Sequence, residues 1–473
     1  MKTHRSTPGC LSASLIFHAL LALGLLAASP AWLRAQNDPA EPPGGKPAVK
    51  VIPAPAGAVS RREVDEKSMR ELIGKMVGCG TRNSLSSWSD PARGIGCARD
   101  IILARLRAIA RDSGGKLSIV DDVFQTSAPR TNNKPVHMEN LYAILPGSDP
   151  VLSKTVFIIS GHFDSRASDV MNPNLDAPGA DDDGSGAAVS VECARLLSHA
   201  GAGSHGPYRA TLLFATVSGE EQGLLGSTRM LAWIKEHGYT VGGMLDNDIV
   251  GADPAPGGPH RVRLFSGMGD EEGGDSPSRE LARTIEEIDG RSNIRLIFNI
   301  DRLGRGGDHY IFYRAGYPAV RFTEPREDYR HQHQTPRIEN GVDYGDRMKY
   351  LDFTFMGNVA RDNAEALRQL ALAPAPPTRV TLGGGITPNA RILSAADDDP
   401  SRAGFEILWR ETTDPRWQVY EFVPSAGETE LTGVSTDNHF FAVRSVGKNG
   451  ARSIAVPAAT GKRLPPRSAS DQR

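Results

Sequence analysis

Two apolar runs, residues 155–160 (TVFIIS) and residues 210–217 (ATLLFATV), are too short for packed helices and too continuous for exposed strands. Such runs are the mark of β-strands buried on both faces. They confine the chain to a layered architecture in which helices cover a central sheet. Both runs end on a segment rich in glycine, histidine and carboxylates: Gly161-His162-Phe163-Asp164-Ser165 and Ser218-Gly219-Glu220-Glu221-Gln222. Three further segments have the same character: Ala180-Asp181-Asp182-Asp183-Gly184, Asn247-Asp248-Ile249 and His331-Gln332-His333.

The rest of the chain alternates in the same way. Helical periodicity begins at Arg61 with Val64, Met69, Leu72, Ile73 and Met76, and resumes over residues 98–112. Strands are expected over 117–124, 139–145, 155–160, 210–217, 294–300 and 319–322, with a weaker one before Asp248. Helices are expected over 184–200, 224–237, 277–288 and from about 345 to 372. Interleaved helices and apolar strands predict an α/β sandwich around a mostly parallel sheet. After a proline-rich break at residues 373–378, short alternating segments at 379–382, 390–395, 404–412, 417–422 and 440–446 predict a small β-sandwich spanning 379–458. Within it, Phe405-Glu406-Ile407-Leu408-Trp409-Arg410 and Phe441-Ala442-Val443-Arg444-Ser445-Val446 resemble strands of fibronectin type III domains.

Lys2, His4 and Arg5 precede an apolar stretch over 11–28 and a small-residue exit at 29–35, the pattern of a secretory signal over residues 1–35. The chain is therefore expected to be exported, with membrane attachment only if the signal stays uncleaved. Residues 36–60 read as a disordered linker before a catalytic domain at 61–372, and residues 459–473 as a disordered tail. Export makes the cysteines informative. Cys79 and Cys97 flank one loop and are expected to pair, whereas Cys193 sits on an apolar helix face and reads as a buried thiol. The 54 basic and 56 acidic residues nearly cancel, so nothing argues for nucleic acid as a partner. The oligomeric state is left open.

Catalytic groups of open α/β sheets collect at the carboxyl ends of the strands. Histidine and several carboxylates gathered there suit a pair of zinc ions. Taken alone, His162 reads as a surface histidine, and Asp181-Asp182-Asp183 as a solvated loop. In combination, Asp164 can accept the second N–H of His162 and orient its ring. One carboxylate of the aspartate run can bridge two cations. Glu220-Glu221, at a strand–helix junction, can divide the work between a proton acceptor and a ligand.

These segments together resemble the secreted co-catalytic dizinc aminopeptidases, a leucyl aminopeptidase or aminopeptidase Y-like family, over roughly residues 63–372. The wider clan includes glutamate carboxypeptidases and glutaminyl cyclases. The resemblance implies a three-layer zinc-exopeptidase sandwich holding two zinc ions. It implies His162, Asp182, Glu221 and Asp248 as ligands, with Asp182 bridging, and Glu220 as general base toward a metal-bridging hydroxide. A final histidine completes the set. The family's Tyr-His-Thr segment is here Tyr329-Arg330-His331-Gln332-His333-Gln334-Thr335. Counting back from Thr335 favours His333, with His331 as the alternative. Gln332 replaces the tyrosine expected to stabilise the oxyanion, leaving Gln332, Tyr329 or Tyr310 as donors. Asp308, beside His309, matches a segment that shapes the substrate pocket. The implied substrates are peptides or proteins with a free N-terminus. The alternatives are a carboxypeptidase of the same clan, using Arg305 or Arg326 for a terminal carboxylate, and a catalytically inactive, receptor-like binding protein.

Overall fold

The computed structural model describes residues 52–199, 208–254, 257–269, 275–383, 387 and 389–460. The expected signal at 1–35, the linker up to residue 51 and the tail from residue 461 lie outside the described residues. Two helices open the fold. In α1 (Glu66–Gly78) the buried residues are Met69, Leu72, Ile73 and Met76, the single stripe that a 3.6-residue period produces. Helix α2 (Ile95–Asp112) starts three residues before the expected 98, because Ile95, Gly96 and Cys97 already pack inward. A disulfide joins Cys79, just after α1, to Cys97 in the first turn of α2, with the Cα atoms 5.9 Å apart. Cys193 is free and buried.

The central sheet comprises β1 (Ser118–Thr126), β2 (Val136–Leu145), β3 (Thr155–His162), β4 (Thr211–Val217), β5 (Thr240–Asn247), β6 (Val262–Ser266), β7 (Ile294–Ile297) and β8 (Ala319–Thr323). Their order is β1-β2-β4-β3-β5-β8-β6-β7. Strands β4, β3, β5 and β8 run parallel, as do β6 and β7. The β1/β2, β2/β4 and β6/β8 pairs are antiparallel. The remaining helices are α3 (Gly184–Ser198), α4 (Leu225–Glu236), α5 (Pro277–Ile288), α6 (His309–Arg314) and α7 (Phe353–Leu372).

Residues of β3 point alternately to two layers, as the period-two pleat requires. Val156 and Ile158 join the core under α4 and α6, while Phe157 and Ile159 join the core under α1, α2, α3, α5 and α7. This is the three-layer α/β sandwich. Helix α3 lies directly on the sheet, because a Cβ on Gly161 or on Gly186 would overlap the backbone of the other element. Helix α7 begins at Phe353 rather than near residue 345. Residues Met348–Tyr350 form a separate 3-10 turn, and Asp352 caps α7 by accepting the Thr354 and Phe355 N–H groups.

A short hairpin of β9 (Arg337–Glu339) and β10 (Val342–Tyr344) follows the 324–336 loop. Beyond α7, strands β11 (Arg379–Gly383), β12 (Ala390–Ala395), β13 (Arg402–Glu411), β14 (Gln418–Val423), β15 (Glu428–Leu431), β16 (His439–Gly447), β17 (Val456–Pro457) and β18 (Ala459–Thr460) form two four-stranded sheets. Val380, Ile392, Phe405, Ile407, Phe441 and Val443 fill the space between them. Segments expected to be unstructured are packed where they are described. The Val59 N–H donates to Glu365, Arg368 donates to the Pro55 and Ala56 carbonyls, and Arg452 donates to the Ile52 carbonyl. Ala373, Pro374 and Pro377 are buried, and β18 pairs with β11. Proline-rich, aperiodic sequence correctly signals the lack of regular structure. It carries no information about side chains elsewhere that bind the extended backbone.

Candidate active site

Strand β3 lies between β4 and β5 in the sheet, and the chain leaves it in one direction for β4 and crosses back for β5. A crevice opens at such a reversal, at the carboxyl ends of the parallel strands. His162 is the last residue of β3, Glu220 and Glu221 follow β4, and Asp248 follows β5. Asp182 stands just ahead of α3, and His333 arrives from the loop after β8. Ile249 and His333 both adopt a left-handed backbone, with φ of 62° and 54°. Bulky residues occupy that region only where surrounding structure enforces it.

Five of these six residues, all but Glu220, form two groups that share Asp182. In the first, His162 Nε2 lies 3.3 Å from Asp182 Oδ1 and 3.8 Å from Asp248 Oδ1. In the second, His333 Nε2 lies 2.9 Å from Asp182 Oδ2 and 3.2 Å from Glu221 Oε1. Each group brings three donor atoms within 4.8 Å of one another. Despite these approaches, His162 Nε2, Asp182 Oδ2 and Glu221 Oε1 are buried with no partner in hydrogen-bonding geometry. Buried polar atoms are nearly always paired, so these orphans and the nitrogen–oxygen donor set fit divalent metal, zinc included. His331 belongs to neither group. It stacks on Tyr350 with ring centroids 3.5 Å apart.

The surrounding residues fix the donors. Asp164 accepts the Glu220 and Glu221 N–H groups and the Ser84 hydroxyl, and its Oδ1 lies 3.4 Å from His162 Nδ1. Asp183 caps α3 and also accepts the His162 and Ile249 N–H groups. Asp346 accepts the Asp181 and Asp182 N–H groups, and Arg82 donates to the carbonyls of Phe163, Pro178 and Gly179. Arg321 occupies Asp248 Oδ2 at 2.8 Å, leaving Oδ1 toward the first group.

Charge follows this geometry. Burial alone would lower the His162 imidazole, but the surrounding carboxylates of Asp164, Asp182 and Asp248 hold it well above its ordinary value. Burial likewise opposes protonation of His333, yet Glu221 and Asp182 raise it to about 10. Asp248 would be raised by burial, but the Arg321 guanidinium keeps it below the usual carboxylate range. Glu220 takes no part in either group. Burial pushes its carboxyl well above the usual range; His162 opposes this, and Glu221 and Asp248 reinforce it.

A cleft of 620 Å³ opens over Asp182, Glu220, Glu221, Asp248 and His333. The four residues expected to shape a substrate pocket do not line it. The Tyr310 hydroxyl donates to the Arg305 carbonyl, Tyr329 is 65% exposed on a different surface, and Gln332 is buried and accepts from Arg305. Asp308 is enclosed behind the site, where burial and then the Asp246 charge push it up to about 8. The cleft is walled instead by Arg130, Arg166, Arg302 and Arg305, with Ala128, Pro129 and Leu224. Of these, the sequence pointed to Arg305 alone, because Arg130, Arg166 and Arg302 are scattered over three loops with no common motif.

The model of peptidase family M28 matches residues 140–340, which span every donor residue. Over 438 residues the chain is 38% identical to a protein of Pyrenophora tritici-repentis named "Probable zinc metalloprotease", covering 86% of this chain and 88% of that one. A relative of the same description in Leptosphaeria maculans is 38% identical over 432 residues, covering 86% of this chain and 98% of its own. Among solved structures, the LapA aminopeptidase of Legionella pneumophila superposes with a TM-score of 0.51 at 17% identity. That match covers 69% of this chain and 81% of LapA, and at such identity it bears on the fold alone.

Proposed function

This chain belongs to peptidase family M28 and is a zinc metallopeptidase, and from that premise we propose that it is an exported dizinc exopeptidase removing N-terminal residues from peptides. One observation carries the dizinc reading. The two oxygens of Asp182 face different donor groups, Oδ1 toward His162 and Oδ2 toward His333. His162 and Asp248 would hold one ion, Glu221 and His333 the other, and Asp182 both.

When bound, the ions supply Lewis acidity toward the scissile carbonyl and acidify water at neutral pH. The remaining work falls to the chain. Asp164 keeps the His162 ring in place and ties down the backbone of both glutamates, so that Glu220 and Glu221 stay on opposite tasks. Glu220, free of either group and open to the cleft, would accept the proton of the attacking water and return it to the leaving amine. Its raised affinity for a proton suits that exchange.

Export is supported by the leader-like first 35 residues and by the Cys79–Cys97 disulfide, which belongs in an oxidising compartment. No helix among the described residues is long and apolar enough to cross a membrane. The reading is tested by chromophore release from aminoacyl arylamides, with and without chelator, beside N-blocked peptides. Chelator-sensitive release from the arylamides is expected. Cleavage confined to the blocked peptides would make the protein a carboxypeptidase instead.

A further inference from the structure

The four arginines of the cleft differ in how their charge is answered. The Arg302 side chain is 7% exposed and pairs with Asp301 at 2.9 Å and Glu327 at 2.9 Å. Arg305 reaches the same Glu327 oxygen at 2.8 Å, and Arg263 takes the other oxygen at 2.8 Å. One carboxylate thus serves three guanidiniums, and Arg305 remains partly exposed. Arg130 has no carboxylate partner among the described residues; its Nη1 donates to the Glu221 carbonyl at 2.7 Å. Arg166 spends Nε and Nη2 on the Ala167 and Ser168 carbonyls of its own loop. Its nearest acid is Glu221 Oε2, 3.9 Å away, and Glu221 is already committed to the second donor group.

Arg130 and Arg166 therefore converge on the Glu221 side of the site with positive charge to spare, and Arg305 faces the same cleft. A cleft for neutral side chains is lined mainly by apolar groups, whereas here only Ala128, Pro129 and Leu224 are apolar beyond glycine. A guanidinium presents paired donors matched to a carboxylate. We infer that the cleft selects substrates carrying a carboxylate near the scissile bond, held by Arg130, Arg166 and Arg305. This rests on the peptidase reading above. The carboxylate has two available sources: an acidic side chain on the residue removed, or the free terminus of a short peptide.

The experiment compares matched substrates on the zinc-loaded full chain. Glutamyl against glutaminyl arylamide isolates the side-chain source; leucyl-glycine against leucyl-glycinamide isolates the terminal source. The wild type is expected to favour the carboxylate member of at least one pair by tenfold or more in kcat/KM, on the order of what a charged hydrogen-bond pair contributes. That preference should shrink as salt rises from about 0.05 to about 0.5 M. It should also fall toward unity in Arg130→Gln, Arg166→Gln or Arg305→Gln. Because each ratio is taken within one preparation, partial misfolding of a variant cancels. Equal turnover within both pairs, with leucyl arylamide still hydrolysed, overturns the inference and leaves the peptidase reading standing. A preference that survives in all three variants also overturns it. Absence of chelator-sensitive hydrolysis of any substrate overturns both.

Discussion

At the scale of single residues, the site separates groups placed to hold metal from the one that would move a proton. Glu220 and Glu221 are neighbours in sequence, yet only Glu221 joins a donor group. Glu220→Gln should therefore retain zinc while kcat falls by about 10²–10⁴-fold, read by elemental analysis and steady-state kinetics on one sample. Near wild-type turnover would remove Glu220 as the base. Asp164→Ala withdraws the acceptor of two glutamate N–H groups and the neighbour of His162, so zinc affinity should weaken by about 10–100-fold, measured by competition with a chromophoric chelator. His162, Glu221 and Asp248 were legible because each stands where an apolar run ends, and Asp182 and His333 because their segments repeat the same acidic or histidine-bearing character. Asp346, Arg82 and Ser84 were not, since they support the site from segments with no local signature. Asp346, for instance, acts on Asp182 across 164 positions. Tyr310, Tyr329 and Gln332 do not line the cleft, because nearness to a motif in sequence does not say which way a loop side chain points.

At the scale of elements, the buried strands were the clearest signal and the helix starts the weakest. Helix α5 matches its expected bounds, with Pro277 at its first turn and Ser276 capping it. Strand β6 and helix α6, five and six residues long, were not foreseen. The disulfide is an element-scale device: it pins the start of α2 to the end of α1 across 18 residues. Chain-entropy reasoning values such a closure at about 3 kcal/mol. Cys79→Ser should lower the unfolding free energy by about that amount in denaturant titration, and the loss should be matched by Cys97→Ser and not deepened in the double variant. An effect near zero would mean that the bridge does not form.

At the scale of the whole molecule, the β-sandwich is docked on α5 rather than tethered to it. Arg283 and Arg410 both bind Asp275 at 2.8 Å, Arg416 and Arg444 reach Glu286 and Glu287, and the Trp417 indole N–H donates to Glu280. No sequence signal foretold this, because the partners lie more than 120 residues apart in the chain. Glu280 gives the interface a pH dependence. Burial raises its carboxyl to about 7; Arg283 opposes the rise and Asp275 adds to it. The folded state thus binds this proton more tightly than the unfolded chain, whose value is near 4.5. Its contribution to stability is complete below that value and is lost as pH rises through 7. Melting temperature should accordingly carry a downward component between about pH 4.5 and 7 that Glu280→Gln removes; identical profiles for the two proteins would exclude Glu280 as its source.

All three scales converge on Asp182, whose two oxygens would join two metal positions into one reaction centre. The most direct test is the zinc content per chain of the wild type and of Asp182→Ala, purified without chelator and checked for native circular dichroism. Two zinc ions per chain are expected in the wild type and neither in the variant. A wild type that binds a single ion, or a variant that keeps two, would rule out Asp182 as the shared ligand of a metal pair.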